Sequence, residues 1–129
     1  MSDSRTAPVV VLVDDEPEIL SALRRLLRNE PYEVLATGNP EEAVAWTLLR
    51  KASLVMTDQR MPSMSGLDFL EIVRLCSPST IRVMLSGQTD LTGVMKLARI
   101  DAIERLVRKP WDAENLKGLL RELLGRSAP

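Results

Sequence analysis

The sequence predicts an α/β domain whose parallel sheet of five strands is covered by helices on both faces. Three observations carry this reading. Short apolar runs, too brief for helices and rich in β-branched residues, recur along the chain. Each is followed by a segment with apolar residues at helical spacing. With 129 residues, 45% of them apolar, the chain is long enough for one domain to bury a proper core. The expected division is an extended or disordered segment over 1–8, the domain over 9–124, and a frayed tail or linker start, "GRSAP", over 125–129.

Taken in order, Val9–Val13 is a strand buried on both sides. A helix over Glu16–Asn29 follows, with Ile19, Leu20, Leu23, Leu26 and Leu27 on one face, until Pro31 stops it. Tyr32–Thr37 is a second strand, nearer an edge. Asn39 as N-cap, Pro40 at the first helical position and Glu42 two residues later predict a capping box. Leu54–Thr57 is the third strand, ended by the loop "DQRMPSMSG" with Pro62 and Gly66. Leu67, Leu70 and Val73 mark the buried face of the next helix. Ile81–Leu85 is the fourth strand, and Thr89 or Asp90 should cap a fourth helix running to about Arg99. Ile103–Val107 is the fifth strand. "KPWD" then turns the chain, and Asp112 caps a last helix carrying Leu116, Leu119, Leu120, Leu123 and Leu124. Met56 and Met84 read as strand packing, Trp46 as a helix-to-sheet contact and Cys76 as an inert helix-end residue.

Composition removes several classes of function. A formal net charge of −1 gives no global field for nucleic acid, so direct nucleic-acid binding is not expected of this chain. The absence of histidine excludes His-dependent triads, His-ligated zinc and a phosphohistidine donor role. A single cysteine forms no internal disulfide, which suits a reducing cytoplasm. No apolar run reaches membrane-spanning length and the first residues lack a signal-peptide core.

Ligands of open α/β sheets bind beyond the carboxyl ends of the strands. There the first strand delivers Asp14 and Asp15, the third Asp58, the fourth Ser86 and the fifth Lys109. Each alone has an ordinary explanation as a solvated turn, a cap or a surface lysine. Their joint arrival at one edge does not. Carboxylates that close repel unless a divalent cation joins them. Hard oxygen ligands suit Mg²⁺, and a carboxylate beside it can attack phosphorus to give an acyl phosphate. Glu16, by contrast, reads as a first-turn acid favoured by the helix dipole.

The motifs "VLVDDEPE", "VMTDQRMPSMSGLDFL", "VMLSGQTD" and "VRKPWD" occur in this order, and from about Val9 to Leu124 the chain resembles a response-regulator receiver domain of two-component signalling. The resemblance implies a doubly wound, flavodoxin-like sheet of order 2-1-3-4-5. It implies that Asp58 is the phosphoacceptor, taking its phosphoryl group from a sensor histidine kinase or phosphotransfer protein. Asp14, Asp15, Asp58 and the backbone carbonyl of Arg60 would hold Mg²⁺ or Mn²⁺. Ser86 would be the switch hydroxyl, Lys109 the charge partner of the phosphoryl group, and Pro110 would follow a cis bond. Arg60 and Gln88 occupy positions that tune phosphoryl lifetime, and a cationic chain at Arg60 should shield the phosphoryl group from water.

One position departs from the family pattern. An aromatic switch residue commonly stands three positions before the lysine, where this chain has Leu106. The usual inward turn of an aromatic ring cannot operate there, and a leucine is expected to rest in the core. "DQRMP" with "KPW" resembles receivers joined to cyclic-di-GMP phosphodiesterases or to transcription regulators, with a stand-alone regulator as the remaining output. Lys96, Arg99, Arg105 and Arg108 form a modest basic patch. It reads either as a solvated face or as a partner surface, including a homodimer through the fourth helix, fifth strand and fifth helix. The competing enzyme class is an aspartate-nucleophile phosphatase, which usually starts with D-x-D and carries a cap domain. Here "DDE" stands in that place, and there is no room for a cap.

Overall fold

The computed structural model describes residues 7–87 and 102–127. It contains strands β1 (Val9–Val13), β2 (Glu33–Thr37), β3 (Leu54–Asp58), β4 (Ile81–Ser86) and β5 (Arg105–Arg108). The described helices are α1 (Pro17–Leu26), α2 (Pro40–Leu49), α3 (Gly66–Cys76) and, as numbered here, α4 (Ala113–Ser127). All strands pair in parallel, in the order β2-β1-β3-β4-β5. This is the doubly wound order that the family resemblance implied. Gln88 and the predicted fourth helix lie outside the described residues.

The period-2 geometry of strands sorts the core into two layers. Val10, Leu12, Leu54, Met56, Val83 and Leu85 face one side, where Leu23 and Leu27 meet Leu116, Leu120, Leu123 and Leu124 of α4. Val9, Val11, Val13, Val55 and Met84 face the other, against Ala43 of α2 and Leu67, Phe69, Leu70 and Val73 of α3. Trp46 packs at the margin of this second layer, as expected, and Cys76 ends α3 exposed. Truncating one fully buried leucine typically costs about 2–5 kcal/mol. Losing one helix cap costs about 1 kcal/mol. The two apolar layers therefore fix where the strand ends point, and the caps refine it. On the exposed rim, Arg121 of α4 grips Glu30 with Nε and Nη2, both at 2.7 Å.

Several boundaries move for local reasons. Glu16 is the N-cap of α1, with extended backbone, rather than its first helical residue. Pro17 at the first helical position disfavours a helical conformation in the residue before it. The helix ends at Leu26, three residues before the expected Asn29, where the chain begins its turn toward β2. Strands β3 and β4 each run one residue further than expected, so Asp58 and Ser86 are the last residues of the strands themselves. Strand β5 starts at Arg105, opposite Val83, instead of at Ile103. The buried Arg82 side chain takes the Ala102 carbonyl through Nε at 2.9 Å, which holds the preceding segment by other means. Helix α4 reaches Ser127, past the expected boundary at Leu124.

The capping box of α2 closes through a third residue. Asn39 Oδ1 accepts from the Glu41 and Glu42 amides at 2.9 and 3.2 Å, as a cap should. Glu42 does not reach back to the Asn39 amide. Its carboxylate accepts from the Thr37 hydroxyl at 2.6 Å, and that oxygen accepts from the Asn39 N–H at 3.1 Å. Thr37→Val would leave the Asn39 amide unpaired next to β2. A loss of about 1 kcal/mol is expected in urea unfolding, with the helix content of the folded protein unchanged.

Candidate functional site

The carboxyl edge of the sheet brings together five of the side chains singled out from the sequence. Asp14 follows β1 and is only 2% exposed. Its backbone amide donates to the Thr37 carbonyl, and its Oδ1 accepts from the Glu16 amide at 2.9 Å. Its Oδ2 is buried without a hydrogen-bond partner. Burial is the main reason its pKa rises from 3.8 to about 6. The Glu16 amide opposes that rise, Asp58 adds to it, and Lys109 again opposes it. Asp15 is exposed beside it. One carboxylate oxygen from each of Asp14, Asp15 and Asp58 can lie within 4.8 Å of the others.

Asp58 is 7% exposed and each of its oxygens has a donor. Oδ1 accepts from Lys109 Nζ at 2.5 Å, and Oδ2 accepts from the Arg60 amide at 3.1 Å. Lys109 is held in turn by its own amide, which donates to the Ser86 carbonyl at 2.9 Å, and the bond from Lys109 to Pro110 is cis. Burial works to lower the Lys109 pKa. The hydrogen bond and charge of Asp58, with Asp14 and Glu16 adding, outweigh it, so the ammonium titrates above its ordinary value.

Ser86 sits fully buried at the end of β4, its hydroxyl donating to the Gly87 carbonyl at 3.1 Å. It is at the expected edge, turned toward its own backbone. Leu106 pairs with Met84 and packs half-buried against the layer on the α2–α3 side. The expectation of core packing holds there, though the burial is partial. Of the basic patch, Arg105 is half-buried and Arg108 exposed, while Lys96 and Arg99 lie outside the described residues. Arg60 is exposed and lines a cleft of about 520 Å³ with Asp15, Gln59, Met61, Pro62 and Ser65.

Two residues of the β3–α3 connection matter more than the sequence indicated. Gly66 starts α3 against the back of Asp58: a Cβ there would stand 2.2 Å from the Asp58 carbonyl oxygen and 3.0 Å from Gln59 Cα. The obstruction is backbone, which cannot swing aside. Gly66→Ala is therefore expected to cost at least the 1–3 kcal/mol of ordinary overpacking, read as a lowered urea midpoint. The second is Gln59, whose amide oxygen accepts from the Leu67 N–H at 2.9 Å. A glycine eight residues after an aspartate gives little sign of such contact. Only the return of the loop onto the strand end creates it.

Three clustered carboxylates, one of them with a buried and unpartnered oxygen, are a poor arrangement without a cation and a suitable one with it. Hard oxygen donors of this kind fit Mg²⁺ or Mn²⁺ rather than a soft metal.

The family model for the response regulator receiver domain matches residues 10–121. The hydrogenase transcriptional regulatory protein HoxA of Cupriavidus necator is 35% identical over 95% of this chain, and the DNA-binding transcriptional regulator NtrC of Azospirillum brasilense is 28% identical over 96%. The chain spans about a quarter of the length of these curated relatives, 25% and 26% respectively. Among solved structures, the signal receiver domain of an HD domain-containing protein from Pseudomonas fluorescens superposes with a TM-score of 0.87 at 31% identity, covering 98% of this chain and 93% of that one. The response regulator TrrA from Thermotoga maritima, solved with Mg²⁺ and BeF, gives a TM-score of 0.79 at 27% identity, covering 90% of this chain and 98% of that one.

Proposed function

Since this chain belongs to the response regulator receiver domain family, a family of phosphoacceptors in two-component signalling, we propose that Asp58 is the residue that receives the phosphoryl group. The observation that carries the assignment is the pairing of its two oxygens with Lys109 Nζ and the Arg60 amide. No such pair of donors serves Asp14, whose second oxygen has no partner. In the transfer, an Asp58 oxygen forms the O–P bond while the P–N bond to a donor histidine breaks, and the leaving imidazole keeps the electron pair and takes a proton. Lys109 neutralises charge on the phosphoryl oxygens. Ser86 supplies a hydroxyl one strand away, available once it gives up the Gly87 carbonyl.

The family binds Mg²⁺ at its acidic pocket. In this chain Asp14, Asp15, Asp58 and the Arg60 carbonyl would hold the ion, which supplies charge neutralisation at the carboxylates and the phosphoryl group. The Arg60 side chain, exposed where it lines the cleft, would shield the acyl phosphate, and the position of Gln88 would also tune its lifetime.

Receivers interact with histidine kinases and output domains. For this chain the kinase or phosphotransfer protein is the donor, and the output is a transcription regulator in the manner of HoxA and NtrC, or a phosphodiesterase or free partner. Among the described residues no helix is long and apolar enough to cross a membrane, which is compatible with work in the cytoplasm. A signalling phosphoacceptor of this kind makes and breaks its own acyl phosphate without being an enzyme in the ordinary sense.

Incubation with a small acyl-phosphate donor, followed by intact mass measurement, tests the reading. One phosphoryl adduct that requires Mg²⁺ supports it. Sustained turnover of many phosphate esters would instead indicate the phosphatase chemistry, and no adduct with any donor would leave a fold without the reaction.

A further inference from the structure

Of the four amides that a helix start leaves without an intrahelical partner, three in α3 belong to Gly66, Leu67 and Asp68. The Asp68 N–H is taken by the Ser65 hydroxyl at 3.0 Å. The other two are both taken by Gln59: Gly66 N–H donates to its backbone carbonyl at 2.9 Å and Leu67 N–H to its side-chain amide oxygen at 2.9 Å. The residue after Asp58 is thus tied to the helix twice.

The backbone tie has a consequence at Asp58. The Gln59 carbonyl and the Arg60 N–H belong to one peptide unit. Among described residues the only cis bond is Lys109–Pro110, so this unit is trans, and its C=O and N–H point in opposite directions. One end faces Gly66 and the other faces Asp58 Oδ2, at 3.1 Å. Helix α3 therefore sets the plane of the peptide that holds the Asp58 carboxylate. The side-chain tie from Gln59 to Leu67 prevents the loop from rotating about the first.

We propose that Gln59 is a positioning residue: by gripping the start of α3 through its side chain, it locks the Gln59–Arg60 peptide so that one carboxylate oxygen of Asp58 is held and the Arg60 carbonyl beyond it is aimed. The metal part of this rests on the phosphoacceptor reading above; the locking of the peptide does not. Gln59 is half-buried and lines the cleft beside Asp15. No charge of its own enters the site.

Gln59→Met keeps the length of the side chain and removes the acceptor. Ser65→Ala removes the other side-chain cap of the same helix and serves as the control for a purely structural effect. Two quantities are read on unphosphorylated protein: the Arg60 amide proton resonance, and Mg²⁺ affinity by calorimetry. Gln59→Met should move the Arg60 resonance upfield and weaken Mg²⁺ binding about tenfold, the lower end for residues that orient metal ligands. Ser65→Ala should leave both unchanged, and Gln59→Glu, which keeps the acceptor but adds a charge to the cleft, should keep the Arg60 resonance at its wild-type position. The proposal is overturned if Gln59→Met leaves either quantity at its wild-type value, or if Ser65→Ala changes them equally. Wild-type protein that binds no Mg²⁺ would defeat the functional reading, and the Arg60 resonance alone would then decide the locking.

Discussion

Asp58→Asn should take no phosphoryl group from any acyl-phosphate donor, with or without Mg²⁺, while remaining folded. Asparagine has nearly the same shape but no anionic oxygen to form the O–P bond. Two opposed effects govern its stability. The attraction to Lys109 is lost, yet the repulsion between Asp58 and Asp14 disappears with it, and the asparagine oxygen still accepts from Nζ. The pair is mostly buried, the Lys109 side chain at 25% exposure and the Asp58 side chain at 10%. Because the two effects oppose each other, the net loss should be smaller than the roughly 3–5 kcal/mol that breaking a buried pair usually costs. Lys109, raised by Asp58 against the lowering effect of its own burial, should then titrate at a lower pH than in the wild type. An intact-mass adduct surviving in Asp58→Asn would move the nucleophile to Asp14 or Asp15, where an aspartate-nucleophile phosphatase carries its own.

What could be read from the sequence was whatever depends on local pattern. The β-branched runs gave away the central strands because both faces of β1, β3 and β4 are buried, and the polar residue that ends each run marks the sheet edge. The caps at Asn39 and Asp112 were legible because they act within three residues. Contacts made by chain return were not. Nothing near Gly66 announces the Asp58 carbonyl behind it, and the Thr37 hydroxyl enters the α2 cap from the strand before. The start of the fifth strand was misplaced by two residues because an arginine on β4, at 8% exposure, engages the segment leading into it. A buried arginine is a poor guess from sequence, and this one bonds to three backbone carbonyls, those of Ala102, Pro78 and Thr80.

Asp14→Asn should stabilise the metal-free protein and remove its response to Mg²⁺. The folded protein holds this carboxyl at a pKa of about 6 against 3.8 when unperturbed, chiefly through burial. A raised carboxyl pKa means that the group's contribution to stability is greatest below pH 3.8 and is lost as pH rises toward and through about 6. Above that, the folded state bears the charge on an oxygen with no partner. The difference of about two pK units corresponds to roughly 3 kcal/mol, an upper value for what the neutral variant gains at pH 7. Mg²⁺ at a hundred times its dissociation constant returns about 2.7 kcal/mol to the wild type by mass action. The two quantities nearly match, so the wild type with Mg²⁺ and the variant without it should unfold at similar urea concentrations at neutral pH. At pH 4.5, where Asp14 is protonated, the advantage of the variant should shrink and Mg²⁺ should stabilise neither protein. If the variant is no more stable than metal-free wild type at pH 7, the buried charge is not strained and the case for a cation at Asp14 fails. If it gains stability and still binds Mg²⁺, the ion is held by Asp15 and Asp58 instead. The expected result would mean that the site is built at the expense of the unliganded fold, with the cation needed to make the strand end of β1 comfortable.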